Sequence, residues 1–246
     1  MKGFNFMNLY TDGIIWDVDG TLWDITEKAS IAWNNVLVQE NKRRSECGET
    51  ALVIRHPERG GSGDLITPDD LKREFGKPLE DIIDDLIPNI DSSTKESFLD
   101  LWCKGEYELL ETQTPEPYDG LEDTLRALQD MRIPSFIVSN CETGYIETFM
   151  ENTHLARYFT DHLCPGDTSQ LKAYNIQAII RKNGLKHAYY IGDIQADCDA
   201  TREADKALGD SASVGFIWSS YGFGTVKNPD AVLKEVSDLP KIIARI

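Results

Sequence analysis

Basic residues are scarce in this chain. Lysine and arginine number 25 against 42 aspartates and glutamates, a formal net charge of −17. Nucleic acids and anionic membrane surfaces both call for basic patches, so neither is expected as a partner. The acidity favours solubility. It also means that an anionic substrate must be attracted by a local metal ion or lysine. Cysteine is sparse and unpaired. Cys47, Cys103, Cys141, Cys164 and Cys198 are widely spaced, odd in number and form no Cys-x-x-Cys pair. That pattern argues against a disulfide framework and a zinc site, and fits a reducing cytoplasm. No apolar stretch is long enough to span a bilayer, and the first residues carry no signal-peptide core. His56, His154, His162 and His187 show no metal-ligand spacing. Gly222-Phe223-Gly224 lacks the Gly-Lys-Ser/Thr of a phosphate-binding P-loop. No internal repeat or low-complexity tract breaks the pattern.

What is present is enough apolar material, 41% of 246 residues, for a large domain or two smaller ones. Strand-like apolar runs recur at 13–16, 135–138, 188–191 and 214–218. Leu121, Leu125 and Leu128 share a helical face, and so do Ile176, Ile179 and Ile180. Strand–helix alternation of this kind predicts an α/β fold with a doubly wound parallel sheet. Residues 25–111 break the rhythm with helical signals only. Ala29, Trp33 and Leu37 recur at helical spacing. Leu79, Ile82, Ile83, Leu86 and Ile87 match a full amphipathic template, and Phe98, Leu101 and Trp102 mark a further helix. Thr67-Pro68-Asp69-Asp70 is a helix start, with Thr67 as N-cap. Gly60-Gly61-Ser62-Gly63 reads as a flexible loop, and 43–64 as a longer loop or insertion without assignment. Residues 1–24 and 112–246 are thus expected to form the α/β core, and 25–111 an all-helical insert.

Chemistry concentrates at four places, each ending a predicted strand or opening a helix. In Gly13-Ile14-Ile15-Trp16-Asp17-Val18-Asp19-Gly20-Thr21, a buried strand runs into two carboxylates. They are costly there unless something cationic compensates them. Ser139-Asn140 follows Phe136-Ile137-Val138. Lys172 precedes the Ile176 helix. Gly192-Asp193 follows Tyr189-Tyr190-Ile191, with Asp197 four residues on. Taken singly, each has an ordinary reading: turn acids, a strand-end turn, a solvated lysine, acids at a helix N-terminus. An EF-hand calcium loop starting at Asp17 fails, because its sixth and twelfth positions hold Leu22 and Lys28.

In this order, Asp17-x-Asp19-Gly20-Thr21, Ser139, Lys172 and Gly192-Asp193-x-x-x-Asp197 resemble the haloacid dehalogenase superfamily. Pro117-Tyr118-Asp119-Gly120 and Tyr221-Gly222-Phe223-Gly224 resemble its phosphoglycolate-phosphatase-like branch. The resemblance implies a Rossmann-like core with an inserted all-helical cap domain, and a Mg²⁺-dependent phosphatase acting on a small phosphorylated metabolite. Asp17 would be the nucleophile, forming an aspartyl-phosphate, and Asp19 the general acid and base. Mg²⁺ would be held by Asp17, Asp193 and the backbone carbonyl of Asp19, with Asp197 orienting a metal-bound water or Lys172. Ser139, Asn140 and Lys172 would hold the phosphate, and Lys172 would also stabilise the transferring group. Closure of the cap would expel water. Phe75-Gly76-Lys77-Pro78 resembles the specificity loop of this branch, which makes Lys77 a candidate to reach the leaving group; an ordinary surface lysine is the alternative and the commoner case. The implied substrate is phosphoglycolate or a sugar phosphate, and the implied protein a cytoplasmic monomer or small homo-oligomer. A β-phosphoglucomutase-type phosphotransferase and a non-catalytic binding relative are the alternatives. Dehalogenation is disfavoured, because it does not need the second acid at Asp19.

Overall fold

A computed structural model describes residues 9–56 and 61–245 of the chain. In chain order, β1 (Leu9–Thr11) and β2 (Gly13–Trp16) precede α1 (Thr26–Cys47), β3 (Ile54–His56) and β4 (Gly61–Gly63). Then come α2 (Pro68–Glu74), α3 (Leu79–Leu86), α4 (Ser92–Thr112) and α5 (Leu121–Asp130). The second half runs β5 (Ser135–Val138), α6 (Tyr145–Asn152), β6 (Phe159–Leu163), α7 (Pro165–Thr168), α8 (Lys172–Asn183) and β7 (His187–Gly192). It ends with α9 (Gln195–Leu208), β8 (Ser213–Ser219), β9 (Ala231–Leu233), α10 (Leu239–Ile242) and β10 (Ile243–Arg245). The chain divides into two compact units, Met1–Asp24 with Glu116–Ile246, and Ile25–Pro115.

The first unit is built on a six-stranded sheet in the order β6-β5-β2-β7-β8-β9, parallel throughout. Strands buried on both faces need continuous apolar sequence, and β2 and β5 are buried at every residue. One face is covered by α8 and α9. Ile15, Phe136, Val138, Tyr190 and Phe216 of the strands meet Ile176, Ile179 and Ile180 of α8 and Ala204 and Leu208 of α9 in one buried cluster. From β2 the chain moves outward to β5 and β6, then returns to the other side of β2 as β7. The crevice beyond the carboxyl ends of β2 and β7 is therefore the switch point of the sheet, where open α/β sheets bind ligands. Two edge strands escaped the sequence pattern. β6 is only half-buried and β9 has three residues, so neither shows an apolar run. β1 and β10 form a separate parallel pair.

The second unit is mainly helical, with one correction. β3 and β4 pair antiparallel within the segment 43–64, so the insert is not helical throughout. The glycine-rich stretch expected to be a loop supplies β4 at Gly61–Gly63, while Gly60 lies outside the described residues. Short, glycine-bearing strands carry no hydrophobic alternation for a sequence pattern to find. His56 of β3 is tied by Nδ1 to buried Asp70 of α2 (3.0 Å). Asp70 and Thr67 cap α2 reciprocally. α1 begins the unit and runs on to Cys47, five residues into the segment left unassigned. Its Trp33 stacks on Trp102 of α4 with ring centroids 4.0 Å apart, and Phe98 meets the same Trp102 edge-on. Leu101, at helical spacing from Phe98, is half exposed. Trp102→Ala should lower the stability of the insert by about 3–5 kcal/mol, the usual cost of truncating a buried aromatic. Urea unfolding followed by far-ultraviolet circular dichroism checks this; an unchanged midpoint would remove the stack from the centre of the unit.

Candidate active site

Asp17, Ser139 and Asp193 follow three neighbouring strands, β2, β5 and β7. The register pairs Trp16 with Ile137 and Ile191, so Ser139 and Asp193 start one residue beyond the level of Asp17, at the same edge of the sheet. All are buried: Ser139 3%, Asp17 2% and Asp193 1% exposed. Lys172, at the first turn of α8, and Asp197, at the first turn of α9, reach the same point from the covering helices. Lys172 Nζ donates to Asp17 Oδ1 (3.0 Å) and Asp197 Oδ1 (2.6 Å), and it lies 5.7 Å from the centre of the Tyr190 ring. The sheet and its helices therefore bring Asp17, Ser139 and Lys172, far apart in sequence, to the end of the sheet where Asp193 and Asp197 lie.

The charge balance is unequal. Asp17, Asp193 and Asp197 place carboxylate oxygens within 4.8 Å of one another, all buried, and one ammonium lies among them. Burial raises Asp197 to about 6 against the pull of Lys172. Burial, then the charges of Asp197 and Asp17, hold Asp193 well above the usual carboxylate range. For Lys172 burial disfavours the charge, but Asp17 and Asp197 outweigh it and keep the group above the ordinary lysine range. An all-oxygen donor set with surplus negative charge suits a hard divalent cation. Asp197 is the least suited to bind one directly. Its Oδ1 is held by Lys172, and its Oδ2 accepts from the backbone N–H groups of Asp193 and Ile194.

Asp193 is fixed from several sides. Its carbonyl accepts from Trp218 Nε1 (3.1 Å), and its Oδ2 accepts from the Phe223 N–H (2.6 Å). Gly20 has φ +77°, and a Cβ there would collide with Asp193 Oδ2. A Cβ on Gly222 would collide with the carbonyl of Gly20 and with Asp193 itself. The end of β8 and the loop after it are also tied to the first motif, through Thr21–Ser219 (3.1 Å) and Tyr221 to the Thr21 carbonyl (3.0 Å).

Asp19 is only half-buried. Its Oδ1 accepts from Tyr145 Oη (2.7 Å) and from Trp23 Nε1 (3.1 Å). Desolvation pushes it up to about 7, with the Asp17 charge adding and the two hydrogen bonds opposing. A carboxyl near 7 can give and take a proton at neutral pH. Asn140 follows Ser139 and is half-buried. Lys77 belongs to the other unit, where its Nζ pairs with Glu74 and with Asp85 (2.7 Å). Tyr145, Trp23 and Trp218 went unmarked in the sequence, because an aromatic beside an apolar run reads as core. Cys47, Cys141, Cys164 and Cys198 form no disulfide, and no described helix is long and apolar enough to cross a membrane.

A family model described as a haloacid dehalogenase-like hydrolase matches residues 11–205. The phosphoglycolate phosphatase of Photobacterium profundum is 25% identical, over 94% of this chain and 94% of that one. That of Shigella boydii is 24% identical, over 95% and 93%. A solved structure described as a predicted phosphoglycolate phosphatase from Haemophilus somnus superposes with a TM-score of 0.73. It is 17% identical, covers 98% of this chain and 99% of that one, and shares the fold.

The shift on Asp19 has a sign that can be measured. Its folded value, about 7, lies above the ordinary 3.8. Its contribution to stability is therefore complete below 3.8 and is lost as pH rises through 7. Asp19→Asn keeps an acceptor for Tyr145 and Trp23 but cannot ionise. In chelator, its melting temperature should rise by several degrees relative to the parent chain between pH 4 and pH 7.5. A difference that stays flat with pH would contradict the raised value.

Proposed function

The chain belongs to the haloacid dehalogenase-like hydrolase family and is a phosphatase within it, and from that premise we propose that it hydrolyses a small phosphorylated metabolite through an aspartyl-phosphate on Asp17. The observation that carries this reading is the buried carboxylate cluster crossed by Lys172 at the switch point of the sheet. A divalent cation, Mg²⁺ by its preference for oxygen donors, would be held by the carboxylates of Asp17 and Asp193 and the carbonyl of Asp19, and would neutralise phosphoryl oxygens facing an anionic nucleophile.

The remaining work falls to the chain's own groups. Asp17 attacks phosphorus with a carboxylate oxygen. Lys172 holds that carboxylate in place and offsets the charge of the transferring group. Asp197 keeps Lys172 pointed at Asp17, since it ties the ammonium at 2.6 Å while its other oxygen is anchored to backbone. Ser139 offers its hydroxyl to a phosphoryl oxygen, with Asn140 beside it at the turn. Asp19 protonates the leaving oxygen and then takes a proton from the attacking water. The names of the relatives support phosphoglycolate as substrate, with a sugar phosphate as the wider class. The insert is assigned the choice of leaving group, and Lys77 is its named contact. A cytoplasmic monomer or small homo-oligomer completes the reading.

Phosphate release from an aryl phosphate should require Mg²⁺ and stop in chelator. Asp17→Asn should lose about 10³-fold or more in kcat, and Lys172→Ala about 10²–10³-fold. Chelator-insensitive release, or an active Asp17→Asn, refutes the mechanism. Across a panel of phosphate esters, Lys77→Ala should change kcat/KM for some esters more than others. A uniform, negligible effect rules Lys77 out.

A further inference from the structure

Two hydrogen-bond donors converge on a single oxygen of Asp19, and neither belongs to the motifs that define the site. Tyr145 and Phe149 lie one turn apart on α6 and share a face. Trp23 is fully buried against that face, 5.0 Å from Phe149 and 6.1 Å from Tyr145 between ring centroids, both contacts edge-on. Backbone pairing ties Trp23 to Asp19 on one side and to Pro117 on the other. The indole and phenol rings are therefore locked by packing, and their polar atoms point to one place: Tyr145 Oη to Asp19 Oδ1 at 2.7 Å, Trp23 Nε1 to the same atom at 3.1 Å. Holding a proton-transfer group by rigid neighbours is what fixes its geometry to the tolerance catalysis needs.

We propose that Tyr145 and Trp23 are positioning residues that fix which oxygen of Asp19 carries the mobile proton. Both donors are spent on Oδ1, so a proton on Oδ2 competes with neither of them. This rests on the assignment of Asp19 as the general acid. In the first half-reaction a carboxylate oxygen of Asp17 bonds to phosphorus. The bond from phosphorus to the leaving oxygen breaks with its electron pair going to that oxygen, which takes the proton from Oδ2. In the second half, the oxygen of water bonds to phosphorus and gives its proton to Oδ2. The electron pair of the aspartyl-phosphate P–O bond then returns to Asp17. Without the two donors the carboxyl group can turn, and the proton is no longer held toward the leaving oxygen.

The need for that proton depends on the leaving group, which separates positioning from general damage. An alkyl alkoxide must be protonated as it departs, whereas dinitrophenolate leaves without help. Tyr145→Phe keeps the ring packing and removes one donor. Its kcat should fall about 10-fold or more on an alkyl phosphate such as glycerol phosphate. On 2,4-dinitrophenyl phosphate it should fall less than about 2-fold, with a steeper dependence on leaving-group pKa across a series of aryl phosphates. Trp23→Phe removes the other donor and carries the same test if the first variant does not fold. Equal loss on all esters, or none, overturns the proposal. Asp19→Asn is run beside them. If it shows selective loss on alkyl esters and Tyr145→Phe does not, only the positioning role falls. If Asp19→Asn itself shows no such selectivity, the assignment of Asp19 as acid falls, and the positioning role with it.

Discussion

Three carboxylates buried around one ammonium are the constraint on which the first unit turns. Asp17, Asp193 and Asp197 are each almost inaccessible, and Lys172 contacts two of them. Such a cluster is costly in an apolar interior, and removing one partner of a buried pair costs about 3–5 kcal/mol. Its surplus negative charge is of the kind that suits a hard cation. The sheet tolerates it because it lies at the strand ends, where backbone N–H groups of the following turns also face it. Asp197 shows how closely the two uses are joined: one oxygen caps the start of α9 and the other anchors the lysine.

Around that cluster, the absence of side chains matters as much as their presence. Gly20 and Gly222 leave room for Asp193 to sit between the first motif and the loop after β8. A methyl group at either position would displace the carboxylate or the backbone that approaches it. The loop after β8 returns the constraint by donating the Phe223 N–H to Asp193. Asp19 is supported in a different way, by two aromatic donors whose rings are fixed through α6. The two supports meet at Gly20, which packs against Asp193 and whose N–H bonds the carbonyl of Trp23.

The parallel core was legible because its central strands are buried on both faces. Gly13–Trp16 and Ser135–Val138 can only be continuous apolar runs, and a run that ends in Asp or Ser marks the ligand edge of such a sheet. The edge strands were not legible. Phe159–Leu163 is only half-buried, so nothing forced an apolar pattern on it. The β3–β4 pair escaped for a related reason, since Gly61–Gly63 has no alternation and reads as loop. Leu101 shows the limit of periodicity, for it follows the helical spacing of Phe98 and Trp102 yet lies half exposed on α4.

The sequence by itself determined the chemistry at hand: the two acids of the first motif, the hydroxyl at Ser139, the lysine at 172 and the acids at 193 and 197. These residue types in this order are costly to bury and serve no packing purpose, so their presence at strand ends carries information. Only the tertiary structure decided how they divide. Which oxygen of Asp197 faces Lys172, and that Asp19 is held by Tyr145 and Trp23, depend on contacts between residues up to 155 positions apart. An aromatic ring looks the same in sequence whether it fills a core or aims a hydroxyl at a carboxylate. The distinction lies in the direction of one bond, which packing alone sets.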